Sequence, residues 1–177
     1  MRASCAYPYR FVMNESSFED YLIETSIYTF RSTKSNLVYL VRVEHYKMDI
    51  YIIKFYLKSN RNSPYKYNLL TNTFEPRRII NTCINILMDI YQKHPDASFG
   101  FIGANRIGES EANTKRYRIY KKIVTTYFTD IYFYHHYNTE KSAYILINKL
   151  KLKENPSLVG EIEQFFIDIY PSLEDWF

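Results

Sequence analysis

The hydrophobic residues of this chain change their spacing near residue 76, and that change constrains the fold more than any other feature. In residues 36–45 and 48–58, apolar side chains recur at every second position. Alternation with period two is typical of β-strands. The short gap at Tyr46 and Lys47 indicates a hairpin between these two segments. We therefore predict four strands in the first part of the chain, over residues 26–32, 36–45, 48–58 and 65–71.

From Pro76 to Lys93 the apolar residues are instead three and four apart, which predicts a helix. The remaining pattern predicts a strand over 97–103, a helix over 112–128, strands over 131–137 and 142–148, and a last helix over 156–169. The order ββββαβαββα indicates an α+β fold. We expect a mainly antiparallel sheet of six to seven strands, with three helices packed on one of its faces.

Composition narrows the class of protein. The chain has 177 residues, no visible linker and no internal repeat, so we expect a single domain over 1–177. It has no apolar run long enough to cross a membrane and no secretory signal pattern, so no membrane association is expected. Its two cysteines, Cys5 and Cys83, form no paired motif, which favours a reducing cytoplasm over a disulfide framework.

The net charge of +4 is unevenly distributed. Residues 101–128 carry six bases and two acids, whereas residues 129–177 carry four bases and eight acids. The basic character is therefore local. A local basic patch favours an anionic partner less strongly than a uniformly basic chain does, because an acidic tail can cover it.

The basic segment lies on the second predicted helix, after the strand at 97–103. Four of its side chains are expected on the solvent face, where they form either an anion or nucleic-acid surface or an ordinary solvated helix face: Lys115, Arg118, Lys121 and Lys122. Arg116 precedes Ile119 and Tyr120 by three and four residues, so it leans toward the core. We predict that Arg116 is buried and forms a structural ion pair, or binds several carbonyls.

Three titratable residues are candidates for catalysis. His135 and His136 are adjacent on a predicted strand, so they point to opposite faces and cannot chelate one metal together. Either could act as an acid or base beside the lysines, or be structural. Glu109 could be a base, a metal ligand or a charge at a helix N-terminus. No metal motif is present, and Gly103 and Gly108 match no nucleotide or acyl-coenzyme A loop, so we expect no metal and no cofactor.

Aromatic residues are unusually abundant, with 19 tyrosines. Several of them interleave with the basic helix and the histidine strand, where they could stack on bases or pack in a core: Tyr117, Tyr120, Tyr127, Tyr132, Tyr134 and Tyr137. At the C-terminus, Trp176 and Phe177 follow an apolar helix face. We expect them to dock either on the body of the domain or across the interface of a homodimer.

The run SFGFIGANRIGESEANTKRYRIYKKIV, followed by SAYILINK, resembles small tyrosine-rich proteins of unknown function from bacteria of the Bacteroides group. The resemblance covers about residues 50–150 and centres on Gly103, Thr114-Lys115-Arg116 and Tyr120. The resemblance implies a bacterial cytoplasmic protein, and it implies no particular activity or site residue.

Three function hypotheses follow. The first is a non-enzymatic binding protein of a bacterial conflict system (toxin–antitoxin, phage defence or counter-defence). It would bind nucleic acid or a partner protein through the basic, tyrosine-rich surface. The second is a metal-independent nuclease-like enzyme that uses a histidine with lysine and arginine. The third is a small-group transferase that uses the loop at 103–112.

Overall fold

The computed structural model describes residues 2–69 and 72–169. Within them the chain forms one seven-stranded sheet and four α-helices. In chain order the elements are β1 (Tyr9–Ser16), β2 (Leu22–Arg31), β3 (Val38–Tyr46), β4 (Ile50–Leu57), α1 (Pro76–Lys93), β5 (Ser98–Ile102), α2 (Lys115–Tyr127), β6 (Phe133–Asn138), β7 (Ala143–Asn148), α3 (Lys149–Glu154) and α4 (Leu158–Ile169). The prediction of an α+β fold with a mainly antiparallel sheet is confirmed.

The strands lie in the order β1-β2-β3-β4-β5-β7-β6. The first four form a meander in which each strand pairs antiparallel with the next. Helix α1 then returns the chain so that β5 pairs parallel with β4. Strand β7 lies between β5 and β6 and is antiparallel to both. Strands β1 and β6 are therefore the two edges of the sheet.

Hydrophobic packing divides the molecule into two cores, one on each face of the sheet. Helices α1 and α2 cover the first face, where residues such as Ile84 and Val124 pack against Val41, Phe99 and Leu146. Helix α4 covers part of the second face through three buried residues, Leu158, Ile162 and Phe166. The expectation that all helices pack on one face is wrong. Both faces of β7 are apolar, and this leaves a second face that needs a helix.

The predicted order of elements roughly matches the structure, with differences in two strands and one helix. The short helix α3 was not predicted. A strand was expected over 65–71, but within the described part of that segment residues 65–68 form turns. The true first strand, β1, had not been predicted. Its side chains are mostly exposed on both faces of the strand. Apolar and polar residues alternate only where one face of a strand is buried, so β1 lacks that pattern.

The β3–β4 hairpin is confirmed and has an unusual turn. Met48 and Asp49 both have positive φ, of 64° and 53°. Tight hairpins usually place asparagine or glycine at such positions. Here the Asp49 carboxylate contacts the Lys151 ammonium group of α3, and this ion pair joins the turn to the helical layer. Among the described residues, no helix is both long and apolar enough to span a bilayer.

Candidate nucleic-acid interface

The start of helix α2 is fixed closely to the sheet. The Thr114 side chain donates a hydrogen bond to the Gly103 carbonyl at 2.5 Å and accepts one from the Tyr117 amide at 3.1 Å. The Thr114 amide in turn donates to the Ser142 hydroxyl at 2.9 Å. Threonine is a favoured N-cap because it satisfies an amide that has no partner within the helix. These bonds hold the direction of α2 relative to β5 and to the β6–β7 turn.

Helix α2 carries five bases and no acid in its 13 residues. Three of them, Lys115, Arg118 and Lys122, are exposed. They stand at positions i, i+3 and i+7, so they form one stripe along the solvent side of the helix. We call these three side chains the basic stripe. Among the described residues, no ion pair involves a base of α2.

Lys121 was expected to belong to the same exposed face, but it is half-buried and points to the edge of the sheet. Its ammonium nitrogen lies 3.3 Å from the centre of the Tyr137 ring on β6. At this distance a cation–π interaction is favourable. The Tyr137 ring also stacks on Tyr144, with ring centres 5.7 Å apart. Lys121 therefore covers one face of the Tyr137 ring, which is otherwise half-exposed.

Arg116 binds backbone carbonyls and not a carboxylate. Its guanidinium donates to the carbonyls of Leu69 at 2.7 Å and Ala104 at 3.3 Å, to Asn68 at 3.4 Å, and closely to Tyr67. The side chain is half-buried, whereas we expected it to be largely buried. Of the two predicted kinds of partner, the described residues supply carbonyls instead of an ion pair. Its positive charge therefore adds to that of the basic stripe.

Glu109 is a capping charge for α2. One carboxylate oxygen accepts the Lys115 amide at 3.0 Å, and the other accepts the Arg106 amide at 2.9 Å. These two backbone bonds, with help from the Arg106 guanidinium, lower the pKa of Glu109 to about 2. A carboxylate near a helix N-terminus is favourable because it opposes the helix dipole. Of its three predicted roles, the helix charge is the one that its contacts favour.

This role predicts an acid-dependent loss of stability. Because the folded-state pKa of Glu109 is lower than the unfolded value of about 4.3, its ionised form stabilises the protein at neutral pH. That contribution should disappear as the pH falls from about 5 to about 2. We expect Glu109→Gln to unfold more easily at pH 7, and the difference from wild type to close across this range in urea titrations. Glu111→Gln, which changes an exposed neighbour, is the matched control. A difference that stays constant with pH would contradict the assignment.

His135 and His136 lie on opposite faces of β6, as expected. On the α2 side, His135 Nδ1 is 2.6 Å from the Tyr144 hydroxyl, and burial lowers the pKa of His135. On the other side, His136 Nε2 is 2.7 Å from the Glu163 carboxylate of α4. The two imidazoles and Glu109 therefore share no cleft. Within residues 2–69 and 72–169, no group of three His, Cys, Asp or Glu side chains could hold a metal ion.

The tyrosines that the sequence singled out divide into two groups. Tyr117 is buried, the Tyr120 ring packs on Phe55 and Phe101, and Tyr127 packs half-buried against the same core. Tyr132, Tyr134 and Tyr137 are exposed along the β6 edge. Tyr144, which the sequence analysis did not single out, links His135 to Tyr137. The sequence does not distinguish Tyr144 from a core residue, because β7 is buried on both faces and a single tyrosine in such a strand is ordinary.

The C-terminal ends of the parallel strands β4 and β5 are a possible ligand site, because crevices at the C-terminal ends of parallel strands often bind ligands. The two strands pair only through Ile50–Ile52 and Ser98–Gly100 before they separate. Beyond this point the two following loops are joined by Arg116 and by a hydrogen bond from Asn68 to the Asn105 carbonyl at 2.9 Å. Under the helices, the separation leaves an apolar cavity of about 40 Å³.

The helix N-termini after these strands already hold carboxylates. At α1, the buried Glu75 side chain accepts hydrogen bonds from Ser32 at 2.7 Å, Ser35 at 2.8 Å and, closely, Tyr7. Burial opposes ionisation, but these hydroxyl donors keep the pKa of Glu75 below its usual value. At α2, Glu109 has the corresponding place. A coenzyme phosphate would meet negative charge at both helices, which disfavours the transferase hypothesis.

Comparison with protein-family models, with curated proteins and with solved structures gives no match for this chain. The resemblance to tyrosine-rich proteins of the Bacteroides group stays a prediction. Trp176 and Phe177, expected at an interface, lie outside the described residues.

Proposed function

We propose that this chain is a non-enzymatic protein that binds the phosphate backbone of nucleic acid through the basic stripe of α2. The carrying observation is the charge of this helix. It has five bases and no acid, and no described carboxylate forms an ion pair with any of them. A polyanion would supply the missing negative charge and release the counterions that it carries.

The absence of a shared cleft supports a non-enzymatic role. A nuclease that works without a metal needs an acid and a base near one phosphate. His135 is bound to Tyr144 on one face of the sheet, and His136 is bound to Glu163 on the other. Glu109 is held by two backbone amides at the start of α2. These three groups cannot act on the same scissile bond.

The mode of binding follows from the chemistry of the stripe. Its three side chains are cationic, and the neighbouring Tyr137 ring already has Lys121 over one face. The stripe therefore makes electrostatic contacts with phosphates, which carry no sequence information. We therefore expect similar affinity for unrelated sequences and a strong dependence on salt.

The stripe sets the number of contacts. Seven helical steps separate Lys115 from Lys122, which is about 10 Å along the helix axis. That length matches about three phosphates of one strand. The slope of log K against log salt should then be about −2.7 for duplex DNA and about −2 for a single strand.

Fluorescence anisotropy with a labelled 20-nucleotide duplex, titrated from 50 to 300 mM NaCl, tests this proposal. The variant with alanine at Lys115, Arg118 and Lys122 should lose most of its binding and nearly all of its salt slope. Each single alanine should reduce the slope by about 0.9. The control variant has alanine at Lys58, Arg61 and Lys93, which are also exposed bases but lie elsewhere. It should bind almost as well as wild type.

Two results would count against the proposal. One is no binding by the wild type at 50 mM NaCl, which would favour a partner protein at this surface. The other is equal loss of binding in the stripe and control variants, which would indicate only the overall charge. A role in a bacterial conflict system stays a prediction and is separate from this test.

A further inference from the structure

Strand β1 is an exposed edge of the sheet. Three consecutive apolar side chains on it are about half exposed: Phe11 at 52%, Val12 at 46% and Met13 at 51%. The strand contains no lysine and no proline, the residues that commonly prevent an edge from pairing with another chain. One side of its backbone is paired with β2, and on its other side no strand formed by the described residues lies next to it.

A β-bulge changes which side chains of β1 share a face. The pairing with β2 shifts between Phe11 and Met13. Arg10 lies opposite Thr29, and Glu15 lies opposite Thr25. Since Thr25 and Thr29 are four residues apart on one strand, Arg10 and Glu15 lie on the same face of the sheet. Without the bulge, residues five apart would point to opposite faces.

We propose that β1 pairs antiparallel with β1 of a second copy of this chain, around a twofold axis perpendicular to the sheet. In the register centred between Val12 and Met13, Arg10 of each copy lies opposite Glu15 of the other. Both residues are on the same face, so the interface contains two opposite-charge pairs. The three apolar residues lie next to the axis, and the result is one sheet of 14 strands. This surface is independent of the basic stripe.

The charges favour a second copy of this chain as the partner of β1, and they favour β1 over β6 as the edge that pairs. A twofold interface must be complementary to itself, and the Arg10 and Glu15 positions satisfy that requirement. Glu15 already accepts a hydrogen bond from Arg42 at 2.8 Å through one oxygen, and its side chain is 43% exposed. The other edge, β6, lies beside Lys121 of α2. Twofold pairing there would bring two strongly positive helices together.

Sedimentation velocity of the full chain from 5 to 300 µM, with a reducing agent because Cys5 is exposed, tests the proposal. Wild type should convert to a dimer as the concentration rises. Arg10→Glu and Glu15→Arg should each weaken association about tenfold or more, because each creates like-charge pairs in place of opposite ones. An equimolar mixture of the two variants should associate again, since the charges are then complementary across the axis. Arg61→Glu gives the same charge change at an exposed site away from β1 and should not alter association.

A second variant distinguishes loss of dimerisation from loss of folding. Met13→Lys places two lysines next to the twofold axis and leaves the Glu15–Arg42 pair intact. It should be monomeric with unchanged circular dichroism. A wild type that stays monomeric at 300 µM, or a dimer that tolerates both Arg10→Glu and Met13→Lys, would overturn the proposal. Failure of the mixed variants to associate would overturn this register.

Discussion

Replacing Arg116 with alanine should destabilise the protein by about 3 kcal/mol, because the guanidinium is the common donor to carbonyls of two loops. Hydrogen bonds from a charged donor contribute about 1.5–3 kcal/mol each. The bond to the Leu69 carbonyl, at 2.7 Å, has an ordinary length, and those to Ala104 and Asn68 are longer. For a chain of this size the melting temperature should fall by roughly 6–12 °C. Differential scanning calorimetry measures the change directly. Trypsin should also cut more readily at Arg61 and Lys66, since their segment loses its attachment.

Two variants distinguish this role from a general charge effect. Arg118→Ala removes a neighbouring base whose guanidinium donates to the Asn113 carbonyl and is otherwise exposed. It should change the melting temperature by a few degrees at most. Arg116→Lys should restore little, because an ammonium group cannot bond several separated carbonyls as a guanidinium does. Equal stability of the wild type and Arg116→Ala would show that the two loops do not depend on this side chain.

Replacing Gly103 with alanine should have an effect of similar size for a steric reason. A Cβ atom at this position would lie 2.5 Å from the Tyr117 amide nitrogen and 2.6 Å from its Cα. Both are backbone atoms in the first turn of α2, so the helix itself would have to move. Overpacking of this kind costs typically 1–3 kcal/mol and occasionally more. We expect a loss of at least about 3 kcal/mol in urea unfolding, because the bonds of Thr114 would be displaced as well.

The matched control is Gly160→Ala in α4. An added Cβ there meets no atom of the described residues within 4 Å, and the residue is in the first turn of a helix. Alanine has a higher helix propensity than glycine, so this variant should be at least as stable as wild type. If Gly103→Ala unfolds at the same urea concentration as wild type, the close approach of α2 to β5 is wrong.

The sequence was informative where burial is one-sided and repeated. Helix α1 was predicted over its full extent, because its apolar residues keep helical spacing for 18 residues. The β3–β4 hairpin was also found, although its turn contains Met48 and Asp49 at positions that usually take other residues. Alternation across the two strands was a stronger signal than the missing turn residues.

The sequence was uninformative where a contact depends on the tertiary structure. Nothing local to Arg116 shows that the carbonyls of Tyr67 and Leu69 lie beside it, since they are 49 and 47 residues away. Which of the four bases expected on the solvent face of α2 are in fact exposed also depends on tertiary contacts. Lys121 leaves the exposed face because β6 brings Tyr137 within 3.3 Å of its ammonium nitrogen. Helical spacing alone placed Lys121 with the basic stripe.

The binding surface can be located directly by titrating ¹⁵N-labelled protein with an eight-nucleotide single strand in 50 mM NaCl and following the amide resonances. We expect the largest shifts to cluster along α2, at Lys115, Arg118 and Lys122, and to reverse when the salt is raised to 300 mM. The amides of Lys58, Arg61 and Lys93 should stay unchanged. Shifts that centre on another part of the fold, or an unchanged spectrum at a saturating concentration of the oligonucleotide, would contradict the assignment of α2 as a nucleic-acid surface.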